Sequence, residues 1–76
     1  MRALSAVPWE ELSVGDKVES ARFEPGVIIK LEDKHILPKG KNPDFYFVSM
    51  KWDHSQHVSR ARLSILSLVT YLGQSQ

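Results

Sequence analysis

The segment FYFVSMKW, residues 45–52, carries the strongest strand signal in the chain. Aromatic and β-branched residues dominate it, as they do in β-strands. Because successive side chains of a strand point to opposite faces, the segment has two faces of different character. One face stays apolar throughout and is predicted to point into the core; it consists of Tyr46, Val48, Met50 and Trp52. The other face is predicted to point outward; it consists of Phe45, Phe47, Ser49 and Lys51.

The strand predicted before it along the chain covers residues 27–32. It is rich in β-branched residues, and its alternation indicates one buried face. The side chains that point one way are Val27, Ile29 and Leu31, and those that point the other way are Ile28, Lys30 and Glu32.

Turn residues separate this strand from an earlier one. Pro25 and Gly26 fit the central positions of a type II turn, where glycine tolerates a positive φ. Gly15 and Asp16 are also typical turn residues, so a first strand is predicted to begin at about Lys17. Between the second strand and residue 45 lies a predicted loop of about a dozen residues, which is long for a compact domain.

The chain downstream of Trp52 is predicted to turn and return. The sequence DHSQ, residues 53–56, has the composition of a tight turn, and a short strand is expected over 57–60. Residues 61–72 fit two patterns. Their apolar spacing is that of an amphipathic helix, whereas their second half is rich in strand formers. We favour a short 3₁₀ turn near Arg62 followed by a closing strand.

Length and composition limit the class of protein. Seventy-six residues make one domain with a thin core. The chain has no cysteine, which excludes disulfides and thiolate chemistry and favours a reducing compartment. No segment approaches the ~20 apolar residues of a membrane span. We therefore expect a soluble, cytoplasmic protein without a membrane partner. The net charge of +1 does not by itself predict nucleic-acid binding.

Three parts of the chain are predicted to differ in order. Residues 1–11 form an N-terminal flank, in which Trp9 lies three residues before Leu12 so that one face can dock on the domain. Residues 12–72 form the domain itself, and residues 73–76 form a disordered tail. The oligomeric state is left open by the sequence, with a monomer favoured.

Three short motifs resemble a known kind of domain. They are LSVGDKV at 12–18, FEPGVII at 23–29 and VSMKW at 48–52. Together they are similar to SH3-like or Tudor-like domains of bacterial transcription and repair proteins. The Tudor-like C-terminal module of DNA helicases and the RNA-polymerase-interacting domain of transcription regulators have the most similar pattern. The resemblance spans roughly residues 12–69 and implies a small five-stranded barrel. The predicted fold is therefore a small SH3-like barrel with a short 3₁₀ or helical turn, and the apolar spacing of residues 61–72 adds a possible C-terminal helix.

The sequence departs from the pattern of those families at two places. Glu24 stands where their first glycine of Phe-Gly-x-Gly would lie, and the loop over residues 33–44 is longer than usual. Since the loops of such folds choose the ligand, the resemblance implies the barrel more directly than it implies the partner.

Catalysis and metal binding are not favoured by the residue pattern. No serine lies in a nucleophile motif, and the adjacent carboxylates Glu10 and Glu11 point apart rather than pairing. His54 and His57 are spaced so that they could bind a metal only if they converged across a turn, and we interpret them as surface residues. We therefore expect a non-enzymatic protein without a metal or cofactor.

The seven aromatic residues allow two interpretations. An aromatic cage for a methylated side chain needs several of them to converge beside an acidic group. A small barrel, however, fills its interior with large side chains. We therefore predict that Tyr46, Trp52 and Phe23 belong to the core.

The predicted binding surface is the outward face of the 45–52 strand. It comprises Phe45, Phe47 and Lys51, with Arg60 and Arg62 at its rim. Exposed aromatic side chains grouped on a sheet are typical of a contact surface for a protein. Two other interpretations remain: Trp9 or Leu12 covers the two phenylalanines, and the two arginines mark an ordinary solvated edge strand.

The preferred function is therefore protein–protein interaction, and the resemblance implies a transcription or nucleic-acid-processing setting. The alternative is direct binding of nucleic acid by a basic strip. That strip would consist of Lys34, Lys39, Lys41, Arg60 and Arg62.

Overall fold

The computed structural model describes residues 2–32 and 46–74. They form six β-strands: β1 (Arg2–Ala3), β2 (Asp16–Glu19), β3 (Pro25–Leu31), β4 (Phe47–Trp52), β5 (Val58–Arg62) and β6 (Thr70–Gln74). Three single 3₁₀ turns lie at Leu4–Ala6, Trp9–Glu11 and Leu63–Ile65.

All six strands belong to one antiparallel sheet in the order β1-β6-β2-β3-β4-β5. The sheet curls into a half-barrel, which agrees with the prediction of a small, mainly β protein. The described strands number six rather than five, because Arg2–Ala3 adds a short strand beside β6.

The C-terminal helix that the sequence left possible is not formed by residues 61–72. Ala61 lies in β5, and Thr70–Gln74 is a strand paired with β2. Pairing with β2 satisfies the backbone hydrogen-bonding groups of β6. Thr70 and Tyr71, at the start of this strand, are strand formers. The favoured alternative, a 3₁₀ turn near Arg62 and then a closing strand, describes the observed segment. The strand also includes Gly73 and Gln74, which the sequence assigned to the tail.

The core fills the concave side of the sheet. It contains, among others, Val18, Ile28, Val48, Met50, Leu63 and Leu66. The face of β4 that was predicted to be buried is buried, from Tyr46 through Trp52. This confirms the inward set Tyr46, Val48, Met50 and Trp52.

The N-terminal segment is part of this core. Leu4, Val7 and Trp9 are buried, and the Trp9 ring stacks on Tyr46 with centroids 4.5 Å apart and an interplanar angle of 4°. The Leu4 N–H donates to the Val69 carbonyl at 2.6 Å. Residues 2–12 therefore close one end of the half-barrel, in the docked arrangement expected from Trp9 and Leu12.

The alternation predicted for β3 is interrupted by a β-bulge. Ile28 pairs with Met50 and Lys30 with Ser49, so Ile29 has no partner on β4. An extra residue in one strand changes the face of every side chain beyond it. Ile28 and Leu31 are consequently buried, whereas Ile29 is exposed. The prediction that Ile29 shares a face with Leu31 is wrong for this reason.

The turn before β3 also lies elsewhere than predicted. Pro25 and Gly26 are the first residues of β3, and the residue with a positive φ is Phe23, at +64°. Gly26 lies under the Trp52 ring, and a Cβ at this position would overlap that ring. Glycine is required here by packing and not by turn geometry.

Phe23 itself is not in the core. Its side chain is 77% exposed at the tip of the β2–β3 turn, so the prediction that it packs inside is wrong. The physical cause is the position of the turn, which places Phe23 beyond the end of the sheet.

A buried polar contact fastens β6 to β2. The Asp16 side chain is fully buried, and its Oδ2 accepts hydrogen bonds from the Ser13 N–H at 2.9 Å and the Tyr71 hydroxyl at 2.8 Å. Burial of the phenol is the larger cause, and this hydrogen bond the second, of a rise in the pKa of Tyr71 to about 12.

Candidate interaction surface on strands β4 and β5

The register between β4 and β5 determines which side chains share the outer face of the sheet. Phe47 pairs with Arg62, Ser49 with Arg60, and Lys51 with Val58. Directly paired residues of antiparallel strands point to the same side. Since Val48 and Met50 point into the core, these six side chains lie on the convex side, which we call the outer face.

Phe47 lies at the centre of a cluster on this face. The guanidinium carbon of Arg60 is 4.2 Å from the centroid of its ring, and that of Arg62 is 6.0 Å away. Both distances lie within the range of cation–π attraction. The ring is half-buried, because the arginine stems cover part of it.

Arg60 is held in place by a carboxylate from the neighbouring strand end. Glu32 follows β3 directly, and its two oxygens accept from Nε and Nη2 of Arg60, the second at 3.1 Å. This hydrogen-bonded pair raises the pKa of Arg60 and lowers the pKa of Glu32. The Glu32 N–H in turn donates to the Phe47 carbonyl at 3.1 Å, which fixes Glu32 beside β4.

The charge of the outer face is predominantly positive. Lys30 pairs with Ser49 and therefore shares the face with Lys51, Arg60 and Arg62. With four cations and Glu32 as the single carboxylate among these side chains, the cluster has a net formal charge of +3. The chain as a whole carries only +1, so this cluster is more positive than the average of the chain.

The structure thus brings together four of the five residues predicted as a binding surface. Phe47, Lys51, Arg60 and Arg62 share the outer face, as their alternation along β4 and β5 predicted. The fifth, Phe45, lies outside the described residues. So do Lys34, Lys39 and Lys41, which the alternative nucleic-acid strip requires.

The two competing interpretations of this surface fare differently. Trp9 and Leu12 do not cover Phe47, because both are buried on the opposite side of the sheet. Covering of Phe47 comes instead from the arginines of β5. β5 is the last strand in the described sheet, so the two arginines do lie on an edge.

A second surface was missed by the sequence analysis. The turns at residues 20–24 and 53–57 lie side by side, and an open groove runs between Arg22 and Glu24 on one side and Trp52 and His57 on the other. The signal that could have revealed the turn at residues 20–24 is the lack of a strand former among residues 20–22.

Hydrogen bonds join the two turns that border the groove. The Ser55 N–H donates to Oε2 of Glu24 at 2.8 Å, and the Asp53 N–H donates to the Pro25 carbonyl at 2.9 Å. The Trp52 indole N–H donates to the Ser59 hydroxyl at 3.0 Å. The two turns therefore hold each other in a fixed arrangement.

Metal-binding geometry is not found over residues 2–32 and 46–74. No three histidine, aspartate or glutamate side chains there are grouped so that they could hold an ion. His54 and His57 are both exposed in the β4–β5 turn. The same residues include no helix with the length and apolarity needed to cross a membrane.

Comparisons with protein-family models, with curated proteins and with solved structures found no match to this chain. The functional interpretation therefore rests on the geometry of the two surfaces.

Proposed function

We propose that the protein is a non-catalytic binding module that holds an acidic segment of a protein partner on the outer face of β4 and β5. The observation that carries this proposal is the contact of two guanidinium groups, those of Arg60 and Arg62, with the Phe47 ring. Arginine presents a planar set of donors that matches a carboxylate, and a neighbouring ring restricts its motion. Lys51 adds an exposed cation on the same face.

A protein partner is favoured over nucleic acid by the state of the Phe47 ring. Single-stranded nucleic acids usually bind where an aromatic ring is free to stack on a base. Here the Arg60 guanidinium lies over the ring and is paired with Glu32. Arg62 and Lys51 have no described carboxylate partner on this face, and a protein segment would place its carboxylates beside them.

The strand order supports the resemblance to SH3-like and Tudor-like barrels. The five longer strands follow the order β6-β2-β3-β4-β5, and a 3₁₀ turn at Leu63–Ile65 separates β5 from β6. This is the order expected of such a barrel, in which the first strand lies between the second and the last. From that resemblance we extend the proposal to a transcription or nucleic-acid-processing setting in the cytoplasm.

Peptide display tests the proposal for a partner of unidentified sequence. A library of random peptides is selected on the wild-type chain, on Lys51→Glu with Arg62→Glu, and on Val14→Glu with Leu68→Glu, which adds negative charge at two exposed sites outside β4 and β5. We expect acidic peptides to be enriched on the wild type and on the Val14 and Leu68 variant and to be lost from the Lys51 and Arg62 variant. Enrichment of basic peptides, or equal enrichment on all three, would contradict the proposal.

The nucleic-acid alternative is tested on the same proteins by fluorescence anisotropy. Single-stranded DNA and RNA 20-mers are titrated at low and at physiological salt. Binding by a basic strip weakens steeply as salt rises, because counterions are released from the phosphates. Absence of affinity at low salt would eliminate the alternative, whereas tight, salt-dependent binding would replace the protein partner with nucleic acid.

A further inference from the structure

The β2–β3 turn exposes an aromatic side chain in an unfavourable backbone conformation. Phe23 has a φ of +64°, in the left-handed region that non-glycine residues rarely adopt. Its side chain is 77% exposed, so the strained position does not serve the core. Gln56, in the neighbouring β4–β5 turn, has a φ of +55°, so a left-handed residue helps to close both turns. The feature that the fold leaves unexplained is therefore the exposure of the Phe23 ring and not its backbone angle.

Hydrogen bonds hold this conformation in place. The Phe23 N–H donates to the Ser20 carbonyl at 2.9 Å, and the Ser20 N–H donates to the Glu24 carbonyl at 2.9 Å. The Ser20 hydroxyl accepts from the N–H groups of Arg22, at 3.2 Å, and Glu24, at 3.1 Å. An aromatic ring presented from such a fixed turn loses little conformational entropy when it is buried against another molecule.

The groove beside Phe23 is a site in which an aromatic ring of another molecule can be buried. Trp52 forms part of its wall, and Arg22 and Glu24 lie along its rim, on either side of Phe23 in the sequence. A projecting ring and an adjacent groove on one surface satisfy the condition for an isologous interface, in which the same patch appears on both partners. Arg22 and Glu24 carry opposite charges, so a twofold axis beside this turn would set Arg22 of each copy against Glu24 of the other.

We propose that this surface pairs two copies of the chain, with each Phe23 inserted into the groove of the other copy. The charges favour a second copy over an unrelated partner, because the sequence Arg22-Phe23-Glu24 is complementary to itself when it is rotated by 180°. The surface is small, so the dimer is weak; interfaces that bury less than about 1,200 Å² are typically transient. This surface is separate from the cationic outer face and does not depend on the function proposed for it.

Sedimentation equilibrium from about 10 µM to about 1 mM tests the pairing on the full chain. We expect the wild type to dimerise with rising concentration and Phe23→Ser to weaken association by about 30-fold, the typical effect of losing a central aromatic. Leu68→Ser is the matched control, since Leu68 is 75% exposed in a different turn, and it should associate like the wild type. A wild-type chain that stays monomeric throughout, or a Phe23→Ser variant that associates normally, would overturn the proposal.

A charge exchange distinguishes twofold pairing from general stickiness. Arg22→Glu and Glu24→Arg are each shown to be folded by circular dichroism and then sedimented alone and as an equimolar mixture. Each variant alone places like charges across the axis and should dissociate. The mixture restores both opposite-charge pairs and should recover association. Failure of the mixture to associate, while the wild type does, would overturn the twofold arrangement.

Discussion

Two phenylalanines at the surface of this protein differ in how far their rings are covered by other side chains. Phe47 lies in a strand, half-buried under two arginines whose positions are set by register and by Glu32. Phe23 lies in a turn, mostly exposed and with a strained backbone. Whether an aromatic side chain is exposed therefore depends on whether neighbouring strands supply side chains that can cover it, and not on the residue type.

The contact between Gly26 and Trp52 joins β3 to β4, the strands next to the two regions. Disrupting this contact should have the largest effect on stability. Gly26→Ala places a Cβ against the Trp52 ring and the Lys51 carbonyl. The ring is buried and cannot move freely, so we expect a loss of about 3 kcal/mol in the free energy of unfolding, measured in urea.

Gly15→Ala is the matched control for that substitution. A Cβ at Gly15 meets no atom within 4 Å, and the cost there comes only from its φ of +99°. We expect about 1 kcal/mol of destabilisation. Equal losses in the two variants would show that the Trp52 contact is unimportant.

The pairing of β2 with β6 lies away from both surfaces and provides a reference for them. Tyr71→Phe removes a hydrogen bond from the buried Asp16 carboxylate, and we expect a loss of about 2 kcal/mol near neutral pH. The binding of acidic peptides on the outer face should be unchanged.

The pH dependence of the wild type tests the same contact. The pKa of Tyr71 is about 12 in the folded protein and about 10 when unfolded, so the folded state holds this proton more tightly. The resulting stability is fully present below pH 10 and is lost as the pH rises towards 12. The difference in unfolding free energy between wild type and Tyr71→Phe should therefore narrow over that range; a constant difference would contradict the assignment.

Substitutions of the two phenylalanines should change stability in opposite directions. Phe47→Ala removes a half-buried ring with its arginine contacts, and we expect a loss of roughly 1–2 kcal/mol. Phe23→Gly relieves the left-handed conformation and removes no buried contact, so we expect a gain of about 0.5–1 kcal/mol. Thermal unfolding of the two variants measures both effects, and destabilisation by Phe23→Gly would show that the Phe23 ring supports the fold.

The smallest effect is expected at Glu32. Glu32→Gln breaks the exposed pair with Arg60 and should change stability only slightly, because such pairs are screened by solvent. The net charge of the outer face rises, so binding of the selected acidic peptides should tighten. Glu10→Gln, an exposed site on the N-terminal 3₁₀ turn, is the control with the same change in charge and should bind as the wild type does.

Acid titration adds a second measurement at this site. The pairing with Arg60 holds the pKa of Glu32 below its ordinary value, so its contribution to stability is present above that ordinary pKa and is lost as the pH falls through the lowered one. The Glu32→Gln variant should lack this loss. Identical acid profiles for the two proteins would mean that the pair adds nothing to the folded state.

Local pattern was sufficient to predict the strand faces of β4 and the grouping of Phe47 and Lys51 with the arginines of β5. Alternation along a strand is a property of the backbone, and the apolar run from Tyr46 to Trp52 left one choice of inward face. The closing strand at the C-terminus was favoured for a similar reason, although the helical spacing competed with it.

The tertiary structure decided the features that depend on partners distant in sequence. The bulge at Ile29 arises from pairing with β4, and the need for Gly26 arises from the Trp52 ring that packs over it. Arg60 covers the Phe47 ring while paired with Glu32, a residue that lies at the end of β3 and is distant in sequence. The exposure of Phe23 followed from the hydrogen bonds that close the turn at Ser20, whereas residue type alone indicated the core. Periodicity is encoded locally and can be read from the sequence, but register, bulges and the contacts between turns exist only once the strands have paired.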